Sequence, residues 1–168
     1  MNPMRKVGVE KITLNIGAGK DERMMKKAEI LLKKLSSVNP IKTTAKKRLP
    51  AWGLRPGLPI GMKVTIRGTE ADELLQRLLK AKSMTLNAKS FTKDGQLAFG
   101  IAEYIDVPGL EYDPDLKIIG FEVAVSLTRP GYRVQRRKFS RAKVGVGHKV
   151  NKEDAIGFMQ EKYGVVVE

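Results

Sequence analysis

Cysteine is absent from the sequence, and histidine occurs once, at His148. The lack of cysteine excludes disulfide bridges, thiolate metal sites and cysteine nucleophiles, and it mildly favours an intracellular protein. A single histidine excludes a multi-histidine metal cluster. Since His148 has no evident carboxylate partner, we interpret it as a loop residue rather than a catalyst. We therefore expect no metal, no cofactor and no catalytic site.

Long apolar runs are also missing. No window approaches the about 18 apolar residues of a membrane-spanning helix, and the stretch MNPMRKVGVEK lacks the apolar core of a signal peptide. We expect a soluble, cytoplasmic protein with no membrane partner. The length of 168 residues suffices to bury a core without cross-links, and it predicts a single domain over 1–168.

Acidic residues are few relative to basic ones, because 18 Asp and Glu stand against 32 Lys and Arg and leave a net charge of +14. This excess predicts a polyanionic partner. Two segments, 42–55 and 129–149, contain no acid and together carry 13 of the net charges. We predict loops at 42–60 and at 129–149, named below the first and the second basic loop.

Two segments alternate between apolar and polar residues, which is the pattern of a strand with one buried face. They are 9–16 (VEKITLNI) and 61–67 (GMKVTIR), and a third run, 117–129, has the same character. The polar residues of the first two segments, which we expect on the exposed side, are Lys11, Thr13, Asn15, Lys63, Thr65 and Arg67.

Three helices are predicted from spacing and capping signals. Apolar residues recur at helical spacing over 21–36, with Met24 among the expected core residues. The TEAD sequence at 69–72 is a capping-box pattern that begins a second helix. The last helix follows Asn151, which suits an N-cap, and Gly164 suits its C-terminal end.

The order of the elements predicts the fold class. Asp94-Gly95 favours a tight turn because both positions tolerate positive φ, which indicates a hairpin over 91–101. The resulting order is β, α, loop, β, α, hairpin, β, loop, α. It predicts an α+β fold in which an antiparallel-rich sheet carries helices on one face. The other face of the sheet would then be open to a partner.

The expected open face combines cations with neutral hydrogen-bonding side chains. Lys and Arg neutralise phosphates, and Thr or Asn can bond phosphate oxygens or 2′-hydroxyls. An RNA-binding surface and an ordinary solvated strand face both fit this composition.

Both basic loops combine cations with aromatic side chains. Trp52 in the first loop either stacks on a base or pins the loop to the body of the protein. If six cations of the second loop each contacted a phosphate, the logarithm of the affinity would fall with the logarithm of the salt concentration with a slope of about −4. The candidate cations of the second loop are Arg133, Arg136, Arg137, Lys138, Arg141 and Lys143.

The stretch IGAGKDE, residues 16–22, contains a Gly-x-Gly-Lys motif. The NTPase loop G-x-x-x-x-G-K-[ST] requires a glycine where Leu14 stands and a hydroxyl where Asp21 stands. The dinucleotide motif requires a third glycine where Glu22 stands. Acids in the first helical turn would also repel a triphosphate. We therefore predict no nucleotide site here.

Five segments match one known family in order and spacing. They are NPMRKVGVEKITLNIGAG, GLRPGLPIGMKVTIRG, FGIAEYIDVPGLEYDPDL, IIGFEVAVSLTRPGYRV and EDAIGFMQEKYG. Together they resemble the family of large-subunit ribosomal protein L5 over nearly the whole chain. The second basic loop and the closing helix are similar to the archaeal and eukaryotic branch. The resemblance implies a non-enzymatic ribosomal protein that binds 5S rRNA and joins it to the large subunit in the central protuberance.

The resemblance also implies further partners and sites. The partners are large-subunit rRNA, P-site tRNA, a neighbouring 5S-binding ribosomal protein and, in an intersubunit bridge, protein S13 of the small-subunit head. Contact with 5S rRNA would use the exposed sheet face, where Lys11 and Asn15 match the family's E-K…N strand. Thr65 and Arg67 match its V-T-[LI]-R strand. The tRNA contact would use the first basic loop, with the candidates Lys46, Lys47, Arg48, Trp52 and Arg55.

Two departures from the family pattern concern residues 36–40 and the second basic loop. Many relatives have Gly-Gln where this chain has SSVNP. Bacterial relatives lack a counterpart of the second basic loop, so its assignment to rRNA rests on charge alone.

A general nucleic-acid binder and a nucleotide-using enzyme are the alternative functions.

Overall fold

The structure of the protein is a computed structural model that describes residues 2–168. Its strands are β1 (Gly8–Gly17), β2 (Ile41–Thr44), β3 (Pro59–Ile66), β4 (Thr85–Leu86), β5 (Leu97–Ile101), β6 (Phe121–Thr128) and β7 (Val166–Val167). Its helices are α1 (Glu22–Leu35), α2 (Thr69–Ala81), α3 (Arg133–Arg136) and α4 (Lys152–Tyr163). An antiparallel sheet has the order β2-β3-β1-β6-β5, and β4 pairs with β7 in parallel. The predicted α+β class is confirmed.

Two compact units make up the described chain. The first comprises the chain up to Ile12, residues 67–99 and residues 124–168, and the second comprises residues 13–66 and 100–123. The division crosses β1, β5 and β6, so each unit holds part of the sheet. That the chain acts as one functional domain stays a prediction.

In the second unit, helix α1 packs its apolar side on β3. Asp21 caps the N-terminus of α1, because its Oδ1 accepts a hydrogen bond of 2.8 Å from the Arg23 N–H. Ser36 lies at the other end, where its Oγ donates to the Leu32 carbonyl at 3.1 Å. The helix therefore begins and ends where the sequence predicts, with Asp21 and Ser36 as its caps. The buried apolar side chains of α1, β1 and β3 in this unit are Leu14, Ile16, Met25, Ala28, Leu31, Leu32, Leu35, Met62, Val64 and Ile66.

The placement of Met24 in the core is wrong. Met24 is half-buried, whereas Met25 is buried. Two adjacent methionines leave the rotational phase of the helix open in the sequence. Packing on β3 turns Met25 inward, in line with Ala28 and Leu32 at spacings of three and seven residues.

In the first unit, α2 begins without the predicted capping box. Its N-cap is Gly68, with φ 76° and ψ −150°, and no side chain caps the helix. Glycine can adopt this backbone conformation because it has no Cβ. As a result Thr69 lies inside the first turn rather than at the N-cap. Asp72, the expected acid of the box, instead accepts hydrogen bonds from Lys162 and Tyr163 of α4.

Helix α4 begins and ends where the sequence predicts. The Asn151 N–H donates to Asp154 Oδ2 at 3.1 Å, which is one half of a capping box. Gly164 closes the helix in the left-handed conformation with φ 67°. Ala155 and Met159 are fully buried on its inner side.

The predicted hairpin is a tight turn with one short arm. The Thr92 N–H donates to the Gln96 carbonyl at 2.8 Å across the turn. In the described chain a single bridge, from Phe91 to Leu97, joins the two sides. Before Phe91 the chain enters a 3-10 turn capped by Asn87, so no strand extends on that side.

Part of the first basic loop is a strand. β2 pairs antiparallel with β3, with Ile41 opposite Lys63 and Thr43 opposite Gly61. The predicted loop bounds of 42–60 are therefore wrong at both ends, and the loop itself covers 45–58. β2 lies at the edge of the sheet and buries neither side, so it lacks the alternation that reveals a strand.

Candidate nucleic-acid interface

The polar sides of β1 and β3 follow the predicted alternation, and these strands are neighbours in the sheet. On β1 these residues are Lys11, Thr13 and Asn15; on or just after β3 they are Lys63, Thr65 and Arg67. Lys63 and Arg67 are exposed and the other four are half-buried, while the apolar residues between them are buried. Within the second unit, Thr13, Asn15, Lys63 and Thr65 thus combine neutral hydrogen-bonding groups with a cation.

This polar face also carries a carboxylate that sequence reasoning missed. Glu122 is exposed on β6, the other neighbour of β1, and its Oε2 accepts a hydrogen bond of 3.2 Å from Asn15 Nδ2. The signal was available, because Phe121 and Val123 are apolar and the residue between them must face the opposite side. The face is therefore not uniformly basic.

The first basic loop has a compact tip. Leu49 and Leu54 form a bridge, and Gly53 between them is left-handed, with φ 57°. Trp52 beside this glycine is 70% exposed. The interpretation that Trp52 pins the loop to the body is therefore wrong, and its ring is free to stack on a partner.

The cations near Trp52 are not engaged by acids. Those predicted from the sequence are Lys46, Lys47, Arg48 and Arg55. All four are exposed, and none forms an ion pair within residues 2–168. Lys20 adds a further cation, because its Nζ occupies the position that a Cβ on Gly53 would take. The tip therefore presents an aromatic ring among unpaired positive charges.

The Gly-x-Gly-Lys motif forms the turn between β1 and α1. The N–H groups of Ala18 and Gly19 both donate to the Ile60 carbonyl, at 3.0 and 2.9 Å. A phosphate-binding loop needs such N–H groups directed at the ligand. Since β3 already uses them and Lys20 lies against the first basic loop, the motif has a structural role.

The segment predicted as a loop over 129–149 contains the short helix α3, so that prediction is wrong for Arg133–Arg136. The second basic loop is closed at its neck by hydrogen bonds between its two ends. His148 Nε2 donates to the Pro130 carbonyl at 2.7 Å, because a carbonyl can only accept. The Val150 N–H donates to the Tyr132 hydroxyl at 2.9 Å. His148 is thus a loop residue with a structural contact, and the neck holds the intervening cations at the surface.

Four arginines of the second basic loop have partners within the protein, and the first of them, Arg129, forms an ion pair of 2.9 Å with Asp154. Arg136 forms an ion pair with Glu10. Arg137 Nε donates to the Ser140 carbonyl at 2.8 Å, and Arg141 Nε donates to the Arg137 carbonyl at 2.7 Å. Backbone hydrogen bonds leave the charges of Arg137 and Arg141 uncompensated, whereas Glu10 offsets that of Arg136.

The other cations of this loop are more open. Lys138 Nζ lies 5.4 Å from the centre of the Phe139 ring, which is 75% exposed. Arg133 and Lys143 are exposed and form no ion pair in the part of the chain that the structure describes. Which RNA these residues contact stays a prediction.

Similarity to known proteins identifies the family. The family model for the C-terminus of the ribosomal L5 family matches residues 59–161, and that for ribosomal protein L5 matches residues 2–55. A large ribosomal subunit protein uL5 from Nanoarchaeum equitans is 51% identical over 167 residues, which cover 99% of this chain and 98% of the relative. The chain belongs to the ribosomal protein L5 family. Two further uL5 proteins support this membership. The uL5 of Archaeoglobus fulgidus is 47% identical, and the match covers 99% of this chain and 93% of the relative. The uL5 of Sulfurisphaera tokodaii is 43% identical, and the match covers 99% of this chain and 95% of the relative.

Membership of the L5 family makes the chain a constituent of the large ribosomal subunit, located in the ribosome in the cytoplasm. RNA binding is part of the family's role. The predicted non-enzymatic role is confirmed, because the relatives are ribosomal proteins. The three relatives are archaeal, which agrees with the predicted branch. Within residues 2–168, no helix has the length and apolar character that crossing a bilayer requires.

Proposed function

We propose that this L5 protein binds 5S rRNA through the polar face of β1 and β3 and attaches it to the large subunit in the central protuberance. The observation that supports this best is the adjacency of two strands that expose Thr13 and Asn15 on one and Lys63 and Thr65 on the other. An RNA backbone across such a face meets a cation for its phosphates and neutral groups for its 2′-hydroxyls.

The basic loops serve further RNA partners in this proposal. The first basic loop contacts P-site tRNA, where the exposed Trp52 stacks and the surrounding cations neutralise phosphates. The second basic loop binds large-subunit rRNA, because its closed neck presents a cluster of cations at the surface. The unpaired charges of Arg133 and Lys143 support this role.

Protein partners suit a different part of the second unit. The segment 106–118 carries four acids, so it is a poor surface for RNA. It also exposes two large apolar side chains, Tyr112 at 57% and Ile118 at 62%. Exposed apolar groups of this kind are typical of protein contacts. We assign this segment to a ribosomal protein partner, either S13 of the small-subunit head or the neighbouring 5S-binding protein.

A competition experiment tests the proposed function. Labelled 5S rRNA bound to the full-length protein is displaced at moderate salt by unlabelled 5S rRNA, by unrelated RNA of equal length or by duplex DNA. We expect 5S rRNA to compete at least about tenfold better, since phosphate contacts alone do not discriminate. Equal competition by all three would contradict 5S recognition and favour a general nucleic-acid binder.

A further inference from the structure

Glu122 and Asn15 form a defined pair of polar groups on the exposed face. The 3.2 Å hydrogen bond joins Asn15 Nδ2 to Glu122 Oε2. Because a carboxylate can only accept, this contact sets the orientation of the amide and directs its nitrogen toward Glu122. Asn15 Oδ1, the second carboxylate oxygen and a further lone pair of Glu122 Oε2 remain as acceptors for a ligand.

A shallow depression of about 550 Å³ adjoins this pair. Its other lining residues are mostly small: Gly17, Gly100, Ala102 and Gly120. A Cβ on Gly17 or Gly100 would meet nothing within 4 Å, so the space above these residues is open. At Gly120 a Cβ would lie 2.8 Å from the Ala102 carbonyl oxygen, so that position excludes any side chain. A flat ring can therefore approach the backbone closely at Gly17 and Gly100.

The charge of Glu122 selects what can enter the depression. A carboxylate repels a phosphate, so the sugar-phosphate backbone is disfavoured at this point of an otherwise basic protein. In RNA a carboxylate can accept from a ribose 2′-hydroxyl or from the N–H donors on the edges of unpaired bases, and only a base edge presents two parallel donors to its two oxygens. Guanine alone offers two adjacent donors, N1–H and the 2-amino group. Cytosine and adenine each offer one amino donor beside a ring acceptor.

We propose that Glu122 and Asn15 form a subsite for an unpaired guanine of the bound RNA. The carboxylate of Glu122 accepts hydrogen bonds from guanine N1–H and the 2-amino group, and Asn15 holds the carboxylate in place. The subsite rests on the proposed function, because it requires RNA on this face of the sheet. It adds base selection to a surface whose other groups recognise the backbone.

The experiment measures binding of short oligouridylates with one central guanosine, inosine, adenosine or cytidine to the full-length protein. Fluorescence anisotropy gives the affinities, and the Asn15 side-chain amide signal in a nitrogen-15 NMR spectrum reports contact at the subsite. We expect guanosine to bind about tenfold more tightly than adenosine or cytidine. Inosine, which lacks the 2-amino group, should fall between them.

Two matched variants separate the subsite from a charge effect. Glu122→Gln keeps the size of the side chain but loses one acceptor oxygen, and it should reduce the guanosine preference to below about twofold. Glu22→Gln removes one exposed negative charge from the same unit outside the depression, and it should leave the preference intact.

Three results would overturn the guanine subsite. They are equal affinities for all four probes in the unaltered protein, a guanosine preference that survives Glu122→Gln, and a Glu122→Gln variant that binds all probes more tightly by the same factor. In each case the proposed function stands if 5S rRNA still outcompetes unrelated RNA and duplex DNA. Loss of that selectivity would instead contradict the proposed function itself.

Discussion

The Tyr163 hydroxyl donates a hydrogen bond of 2.7 Å to Asp72 Oδ1, and Lys162 Nζ lies 3.0 Å from the same oxygen. These contacts join α4 to α2 within the first unit. Burial raises the pKa of Asp72, but the hydrogen bonds from Tyr163 and Lys162 outweigh it and hold that pKa below its ordinary value. Burial, and then Asp72, raises the pKa of Tyr163. The lowered pKa of Asp72 and the raised pKa of Tyr163 both favour a neutral phenol beside an ionised carboxylate.

Replacing Tyr163 by phenylalanine tests this contact. Tyr163→Phe should lower the free energy of unfolding by about 1 kcal/mol, because the Asp72 carboxylate loses a donor in a partly buried place. Urea denaturation at neutral pH measures the change. Tyr112→Phe, at an exposed tyrosine, should stay within about 0.5 kcal/mol of the parent. Equal effects of the two substitutions would show that the hydrogen bond contributes nothing.

The Lys34–Asp113 ion pair predicts a dependence on acid pH. Lys34 Nζ lies 2.6 Å from Asp113 Oδ2, and this hydrogen bond, followed by one from the Asp115 N–H, holds the pKa of Asp113 below its ordinary value. Because the pKa of Asp113 is lower in the folded than in the unfolded state, its ionised form stabilises the fold at every pH above the pKa of the unfolded chain. That contribution is lost as the pH falls through the folded value.

Substitution of Asp113 makes this pH dependence measurable. Asp113→Asn should lower the melting temperature at neutral pH. Its difference from the parent should shrink as the pH falls from about 4, the ordinary pKa of an aspartate, through the lower pKa of the folded parent. Glu111→Gln, which alters an exposed acid nearby, should show no such convergence. A constant difference between Asp113→Asn and the parent down to the acid transition would argue against the ion pair.

The sheet and its polar face were predictable because burial on one side imposes a period of two on the sequence. Ile12, Leu14 and Ile16 are buried, so the polar residues between them had to face the other way. The same rule applied to β6 would have placed Glu122 on this face. Its hydrogen bond to Asn15 was beyond prediction, because it depends on which strands are neighbours.

The elements that the sequence did not reveal depend on tertiary contacts. β2 buries no side and is held by its pairing with β3, so its residues show no period. The capping-box signal at 69–72 failed because Gly68 adopts a conformation that makes it the N-cap, one residue before the position that the pattern implied. The contact of Lys20 with the tip of the first basic loop likewise depends on chain folding.

Substitutions on the sheet face and in the first basic loop test their separate roles. Asn15→Ala or Thr65→Ala should weaken 5S rRNA binding by about fivefold each, since each removes hydrogen bonds from a half-buried position. Trp52→Ala should leave this affinity nearly unchanged. Circular dichroism and urea denaturation serve as controls for the fold. If Trp52→Ala abolished 5S rRNA binding while the other two did not, the assignment of 5S rRNA to the sheet would be wrong.

Salt dependence distinguishes open from paired cations in the second basic loop. Lys143→Gln should reduce the log–log salt slope for binding large-subunit rRNA by about 0.7, because it removes one phosphate contact. Arg136→Gln should change the slope less, since Glu10 already offsets that charge. Lys117→Gln, an exposed cation outside both basic loops, should leave the slope unchanged. The slope depends only on the cations that neutralise phosphates. An unchanged slope for Lys143→Gln, or equal changes for Lys143→Gln and Arg136→Gln, would therefore contradict the distinction between open and paired cations in this loop.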